Sequence, residues 1–437
     1  MKARHLSCRE WGSIPIGTEG FSREQADALL AAAADHPSGG TDGGKILVEI
    51  NRRLHVRQVV GVLAVPGASL EILPKVDEEQ AEQGDDKGQV RHRLVHMLDV
   101  ALGLDLAGGA EAAMARQDET LLDVLIRLFA QKLLAQVRRG LPRHYVERED
   151  DLRALRGRLD ITRQFTVHAA RPDRLACRFD SLENDTPLMR VMKACVIMLS
   201  RHARGLETQR LLAELRHALD GIPDTPASAL PWKRIRIDRS NQRWRSLLDL
   251  AKLFLLREWQ ATHHEAAAAQ GLTLLFPMND LFEAYIAARL RQSLTGSGID
   301  VVEQGGLRHC LGPWSAGEDT QGIHFLTRPD LILRQREDRK ILAIIDTKWK
   351  RLDLPRDERP GVAQADIYQM MAYARLYRCD RLMLLYPSCR DQGSQTHRDY
   401  GFAAGRERLF LATIDLNVVD GVASALKRAI VPQLVAS

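Results

Sequence analysis

At 437 residues the chain is long enough for two or three domains with cores of their own. Hydrophobic residues make up 45% and charged residues 27%, which excludes a disordered chain, and no apolar run is long enough to span a membrane. A formal net charge of +5 permits a nucleic-acid partner without requiring one.

The six cysteines, Cys8, Cys177, Cys195, Cys310, Cys379 and Cys389, form neither a C-x-x-C pair nor a zinc-finger spacing with histidine. The expectation is a reduced, cytoplasmic protein with no structural zinc. No secretory apolar core follows Met1–His5.

In chain order, the first region reads as β-rich. Residues 46–50, 54–57, 59–65 and 70–73 are strand candidates, with Pro66-Gly67 as a turn. Residues 39–45 spell G-x-x-x-x-G-K, a superficial P-loop. Ile46 stands where the magnesium-binding Ser or Thr belongs, and a strand rather than a helix follows, so nucleotide hydrolysis by this chain is excluded. Residues 77–87 read as an acidic, exposed loop.

Helical spacing takes over at 91–102, 121–139, 186–201, 207–219 and 244–265, while 153–160 and 165–179 are less regular. Arginine is frequent between Arg127 and Arg178, as phosphate contacts or as solvated helix faces. His263-His264-Glu265 are consecutive and share no helix face, so they do not form a zinc motif.

A boundary near Gly271 separates an Ala-rich stretch from Leu274-Leu275-Phe276-Pro277. Beyond it the expected order is a helix over 279–294 with Asn279 as N-cap, a strand at 299–303, a hairpin, a helix at 363–377, and strands at 381–386 and 408–416. The chain thus divides into 1–115, 116–270 and 271–437. The fold class is multidomain α/β: a β-rich N-terminal domain, a helical middle region and a C-terminal α/β sandwich.

The hairpin is the most informative feature. Its arms, 325–333 and 341–348, flank the polar turn Glu337-Asp338-Arg339-Lys340. Centred near Asp338, it sets Asp330 opposite Asp346, at a spacing of about 5 Å for directly opposed side chains. Lys348, two residues on, projects from the same face. Apolar strands of this kind belong in a sheet interior, where an ionised Asp needs a cation. That cation is either a divalent metal in a phosphodiester-cleaving site or the side chain of Lys348 or Arg334 in a structural ion pair with Asp346.

Glu283, on the preceding helix, is a third candidate carboxylate or one of several exposed helix acids. Gln369 and Tyr373, at i and i+4, share a helix face. They either hold Lys348 and contact substrate or are a packed Tyr beside an exposed Gln.

These residues resemble the PD-(D/E)xK nucleases: Glu283, Pro329-Asp330, Asp346-Thr347-Lys348 and Gln369-Met370-Met371-Ala372-Tyr373, the last similar to the Q-x-x-x-Y motif of RecB-like members. The fuller strings M-N-D-L-F-E, I-D-T-K-W-K and D-I-Y-Q-M-M-A-Y-A look like the McrC subunit of McrBC modification-dependent restriction systems. So do Leu70–Val76, Leu155–Leu159 and Asp185–Arg190, apart from Met189, where Asn is expected.

The resemblance implies a restriction-endonuclease-like C-terminal domain in a 5-methylcytosine-directed phage-defence complex. It implies one or two Mg²⁺ ions, held by Asp330, Asp346 and the carbonyl of Thr347, with Lys348 and Glu283 catalytic and Gln369 and Tyr373 in support. The partners it implies are DNA, a McrB-like AAA+ GTPase engaged by the N-terminal part, and a second nuclease domain. A non-catalytic DNA-binding, GTPase-activating subunit and a stand-alone RecB-like repair nuclease are the alternatives.

Overall fold

The computed structural model describes residues 4–36, 39–40, 43–75, 87–106, 119–171, 173–256, 272–313, 322–350, 352, 362–388, 394–403, 405–416 and 421–432. The chain gathers into two compact units, Met1–Leu121 with Gln260–Ser437, and Leu122–Trp259. The first and third sequence regions therefore share one unit.

That unit opens with β1 (Arg4–Arg9), β2 (Ser13–Pro15), α1 (Arg23–Ala34), β3 (Leu47–Ile50), β4 (Arg53–Val56), β5 (Val59–Val65), β6 (Ala68–Leu73) and α2 (Lys87–Leu102). Ser22 and Gln25 start α1 with a reciprocal capping box. The segment 39–45 runs from the end of α1 towards β3, the wrong setting for a P-loop, and residues 41–42 lie outside the described set. β5 and β6 pair antiparallel around the expected Pro66-Gly67 turn, and β1 lies parallel to β6. β6 is buried throughout, and its own Glu71 is fully enclosed. The Glu71 carboxylate is met by Arg91 Nε at 2.8 Å and Nη2 at 2.7 Å, and by the Leu121 N–H at 2.8 Å.

The second unit continues with α3 (Leu121–Arg138), β7 (His144–Leu152), β8 (Arg158–Leu159), α4 (Ile161–Thr166), β9 (Leu175–Glu183), α5 (Pro187–Ser200), α6 (Leu206–Ala218) and α7 (Arg245–Leu255). The helices fall where their spacing places them. α5 starts on the Thr186 hydroxyl with Pro187 in its first turn, and Met189 is fully buried within it. The rest of the helix expected through 265, with His263 and His264, lies outside the described residues, as do most of the acidic loop and Cys389.

The long β7–β9 ribbon, paired from His144↔Glu183 to Leu152↔Leu175, is absent from the sequence reading. Its strands carry charge on both faces and show no apolar alternation. They are joined instead by cross-strand ion pairs such as Arg148–Glu183 at 2.6 Å and Arg178–Glu149 at 2.6 Å. Gly157 sits at φ +69°, where a Cβ would lie 2.4 Å from the Arg178 carbonyl oxygen, so the close approach of β8 to β9 requires glycine.

The first unit resumes with β10 (Leu272–Pro277), α8 (Met278–Ser293), β11 (Ile299–Glu303), β12 (Arg308–Leu311), β13 (His324–Thr327), β14 (Leu331–Gln335), β15 (Ile341–Thr347), α9 (Gln364–Tyr377), β16 (Arg381–Ser388), β17 (Gln395–Gly401) and β18 (Arg408–Asp415). β10 pairs antiparallel with β5 and completes the sheet β1-β6-β5-β10. The pairing depends on Gly61, at φ +126°, where a Cβ would stand 1.9 Å from the Leu274 carbonyl oxygen. This is why residues just past Gly271 fold onto the N-terminal sheet rather than opening a separate domain.

Six of the remaining strands form a sheet in the order β11-β14-β15-β16-β18-β17, parallel at β15–β16 and β16–β18, while β12 and β13 pair with each other. Two expectations are corrected. Helix α8 begins at Met278 behind Pro277 without a side-chain cap, and the Asn279 Oδ1 instead accepts from Gln58 Nε2 at 3.0 Å. The expected strand 325–333 is split, because Arg328-Pro329-Asp330 interrupt it and β13 pairs with β12 while β14 enters the main sheet.

Candidate active site

β14 and β15 pair Leu331↔Ile345, Ile332↔Ile344 and Leu333↔Ala343. Continued by one residue, this register sets Asp330 against Asp346, as the hairpin reading expects. A bulge between Leu333 and Arg334 shifts the register only towards the turn, away from the carboxylates. Parallel pairing with β16 leaves Asp346 fully buried in the sheet interior.

The surrounding contacts are specific. Asp330 Oδ2 accepts from the Thr347 N–H at 2.7 Å and from its hydroxyl at 2.9 Å. Lys348 Nζ lies 2.6 Å from Asp346 Oδ2, while Asp346 Oδ1 is buried with no hydrogen-bond partner. From α9, Gln369 Oε1 accepts from Lys348 Nζ at 3.2 Å, and Gln369 Nε2 donates to the Tyr373 hydroxyl at 2.7 Å. That hydroxyl donates in turn to the Arg328 carbonyl at 3.0 Å. Gln369 and Tyr373 thus form a chain from Lys348 to the backbone two residues before Asp330, and the reading of a packed Tyr beside an exposed Gln is set aside.

Glu283 is no exposed helix acid. It is 9% exposed, and Gln304, whose N–H bonds the Asp330 carbonyl at 2.9 Å, also places its amide 3.4 Å from Glu283 Oε2. Two acids escaped the sequence reading. Asp280, in the first turn of α8, is pushed up by burial and by the charge of Asp330. Asp366, in the first turn of α9, lies 3.8 Å from Lys348 Nζ and 2.6 Å from Lys350 Nζ. The available signal was spacing, since Asp280 precedes Glu283, and Asp366 precedes Gln369, by one helical turn.

The electrostatics describe carboxylates short of positive charge. Burial, then the charge of Asp330, pushes Asp346 up to about 7 despite Lys348. Asp330 is raised by its own burial. Burial and then Asp330 take Glu283 to about 8. Burial opposes the charge on Lys348, yet the Asp346 carboxylate outweighs it and raises the ammonium above its ordinary range. One ammonium is not enough for this group of acids.

No three His, Cys, Asp or Glu side chains converge at metal-ligand spacing among the described residues. Mg²⁺ does not require such a cage: one or two carboxylates suffice, with water and phosphate oxygens completing its shell. The orphaned, buried Asp346 Oδ1 beside Asp330 fits that demand.

Residues 54–387, which include every side chain of this site, match the model of the McrBC 5-methylcytosine restriction system component family. The chain belongs to this family. Comparison with curated proteins found no match. Among solved structures, a chain from a refined half-complex of the Thermococcus gammatolerans tetradecameric assembly, McrB AAA+ hexamers with bound McrC, is 21% identical. The alignment covers 97% of this chain and 99% of that one, with a TM-score of 0.74. A chain of the cryo-EM McrBC complex from the same organism is 24% identical over 67% of this chain and 88% of its own, with a TM-score of 0.55. At these identities the likeness is one of fold. The mixed α/β architecture, strand-rich at its start, helical in its middle and sheet-rich at its end, agrees with it. No helix among the described residues is long and apolar enough to cross a membrane.

Proposed function

We propose that this chain is the Mg²⁺-dependent endonuclease subunit of a modification-dependent restriction complex. It hydrolyses DNA phosphodiester bonds and stimulates a McrB-like AAA+ GTPase. The observation that carries the reading is the register that sets Asp330 against a fully buried Asp346, with Lys348 held on the second carboxylate.

Asp330, Asp346 and the Thr347 carbonyl would hold one ion, and Glu283 would serve a second or a water in its shell. The Thr347 N–H already faces Asp330, and the N–H and C=O of one strand residue point to the same side. When bound, the metal supplies Lewis acidity and a template for in-line displacement. Water oxygen attacks phosphorus and gives up a proton to solvent, the bond to the 3′ oxygen breaks, that oxygen takes a proton from solvent, and a 5′-phosphate and 3′-hydroxyl remain. Lys348, held charged by Asp346, orients the water and stabilises the added negative charge on the phosphate rather than accepting a proton. Gln369 and Tyr373 fix its position.

The GTPase partner is supported by the family and by the structural neighbour in which McrB AAA+ hexamers carry bound McrC. With Ile46 after the 39–45 loop, this chain has no usable P-loop of its own. Cutting both strands needs two nuclease domains, so the assembled complex is expected to pair them, in the cytoplasm where foreign DNA arrives. No observation favours a stand-alone nuclease or a non-catalytic subunit.

The test reconstitutes the chain with a McrB-like GTPase and offers closed circular plasmid, methylated or unmethylated, with and without GTP and Mg²⁺. Cleavage of the methylated circle that needs all components is expected. Asp346→Ala should abolish it and leave GTPase stimulation intact; persistent cleavage by that variant refutes the assigned site.

A smaller effect is expected at the supporting chain. Tyr373→Phe removes only the hydroxyl between Gln369 and Arg328, so turnover should fall about tenfold. The thermal midpoint should shift by only a few degrees, consistent with loss of roughly 1 kcal/mol. Single-turnover cleavage and thermal melts measure the two.

A further inference from the structure

Glu10, just past β1, is buried to 2% exposure although no catalytic role reaches it. Its Oε1 accepts from Trp349 Nε1 at 2.7 Å and from the Lys75 N–H at 2.9 Å. Its Oε2 is buried with no hydrogen-bond partner. Trp349 immediately follows Lys348, is itself buried, and meets Phe282 edge-on at 5.4 Å between ring centroids. Phe282 is the neighbour of Glu283 on α8. One acceptor oxygen of the N-terminal region thus holds the indole joined by a peptide bond to Lys348, and that indole packs on the helix turn that delivers Glu283.

The placement is costly to maintain. A carboxylate buried with one oxygen unpaired would not persist in a part of the fold free to relax. Two further ties run the same way: β10 pairs with β5 and leads straight into α8, and Gln58 bonds Asn279 at its first turn. The Leu-Glu-Ile-Leu-Pro-Lys segment ends on the Lys75 N–H that orients Glu10, linking the N-terminal motif to the Asp-Thr-Lys motif.

We infer that Glu10 is a positioning residue for the nuclease: by fixing Trp349 it sets Lys348 against Asp346, and so makes the N-terminal sheet part of the catalytic apparatus. The inference rests on the endonuclease reading above. Any partner that displaces Glu10 would alter cleavage through this contact.

The test uses the full chain, assembled with its GTPase, in the variants Glu10→Ala, Glu10→Gln and Trp349→Phe. The glutamine carbonyl still accepts both hydrogen bonds; alanine cannot, and phenylalanine keeps the ring but lacks the donor. In Glu10→Ala and Trp349→Phe, kcat for plasmid cleavage should fall about tenfold, the scale of lost outer-shell contacts. KM for DNA and GTPase stimulation should not change, and Glu10→Gln should stay near wild type.

A second readout is independent of activity. Trace acetylation of lysines at pH 8, read by mass spectrometry, should label Lys348 about tenfold faster in the two disruptive variants, on the same outer-shell scale. Labelling of Lys193, in the other unit, should stay constant. Unchanged Lys348 labelling overturns the inference, as does unchanged kcat where the wild type cleaves. If the wild type does not cleave, the endonuclease reading fails, and the labelling alone decides whether Glu10 positions Lys348.

Discussion

Asp346→Asn should cut cleavage on the order of 10³-fold and, at the same time, stabilise the metal-free protein. Both results come from one cause. The carboxylate is fully buried, and burial together with Asp330 raises it from 3.8 to about 7. A group that binds its proton more tightly in the folded chain stabilises the fold less as that proton leaves. The cost is absent below about pH 4, grows as pH rises from 4 to 7, and is complete above 7. Asn keeps the shape without the charge, and Lys348 retains Gln369 and Asp366 as partners.

Chelated protein should therefore gain about 2 kcal/mol at pH 8 and almost nothing at pH 4. Urea unfolding at the two values measures the difference. A variant destabilised at both would show that Asp346 is a structural ion-pair residue rather than a ligand kept at a cost. Cleavage should drop on the order of 10³-fold, since a metal-centred site supplies several kcal/mol of transition-state stabilisation. Mg²⁺ should stabilise the wild type against urea and leave Asp346→Asn nearly unaffected.

Arg91→Ala should cause the largest loss of stability, about 3–5 kcal/mol, because it leaves the Glu71 carboxylate buried without its main cation. Burial alone would raise Glu71, but the nearby His5 imidazole at 3.8 Å, the hydrogen bonds and charge of Arg91, and the Leu121 N–H bring it down to about 2. The interaction ties β6 to α2 and to the backbone of Leu121, all within the first unit, so its loss loosens that part of the sheet. A carboxyl lowered in this way stabilises above its ordinary value of 4.5, and that contribution should fade as pH falls towards 2. Urea denaturation of Arg91→Ala and of the double variant Glu71→Met with Arg91→Met supplies the check. The double change should recover most of the loss, because a paired burial of apolar groups needs no cation. If Arg91→Ala unfolds with the wild type, Glu71 is held by other groups.

Legibility followed the physics of each element. The helices at 187–200 and 206–218 announce themselves through spacing. The β7–β9 ribbon does not, since its strands carry charge on both faces and their cross-strand ion pairs leave no apolar alternation to read. The split at Arg328-Pro329-Asp330 was signalled by Pro329 and overlooked in a run of apolar residues. The placement of Asp330, Asp346, Lys348, Gln369 and Tyr373 near one another was readable because strand and helix periods fix their faces. The burial of Glu283 was not, as it depends on where α8 packs.

Local spacing fixes the geometry around the carboxylates: a short polar turn sets the hairpin register, and period-two alternation then assigns Asp330, Asp346 and Lys348 to one place. Only the tertiary structure decided that residues from opposite ends of the chain build a single unit. β10 joins β5 because Gly61 leaves room for its backbone, and Glu10 reaches Trp349 across hundreds of residues. Such contacts are set by packing between distant elements, and neither spacing nor composition records them.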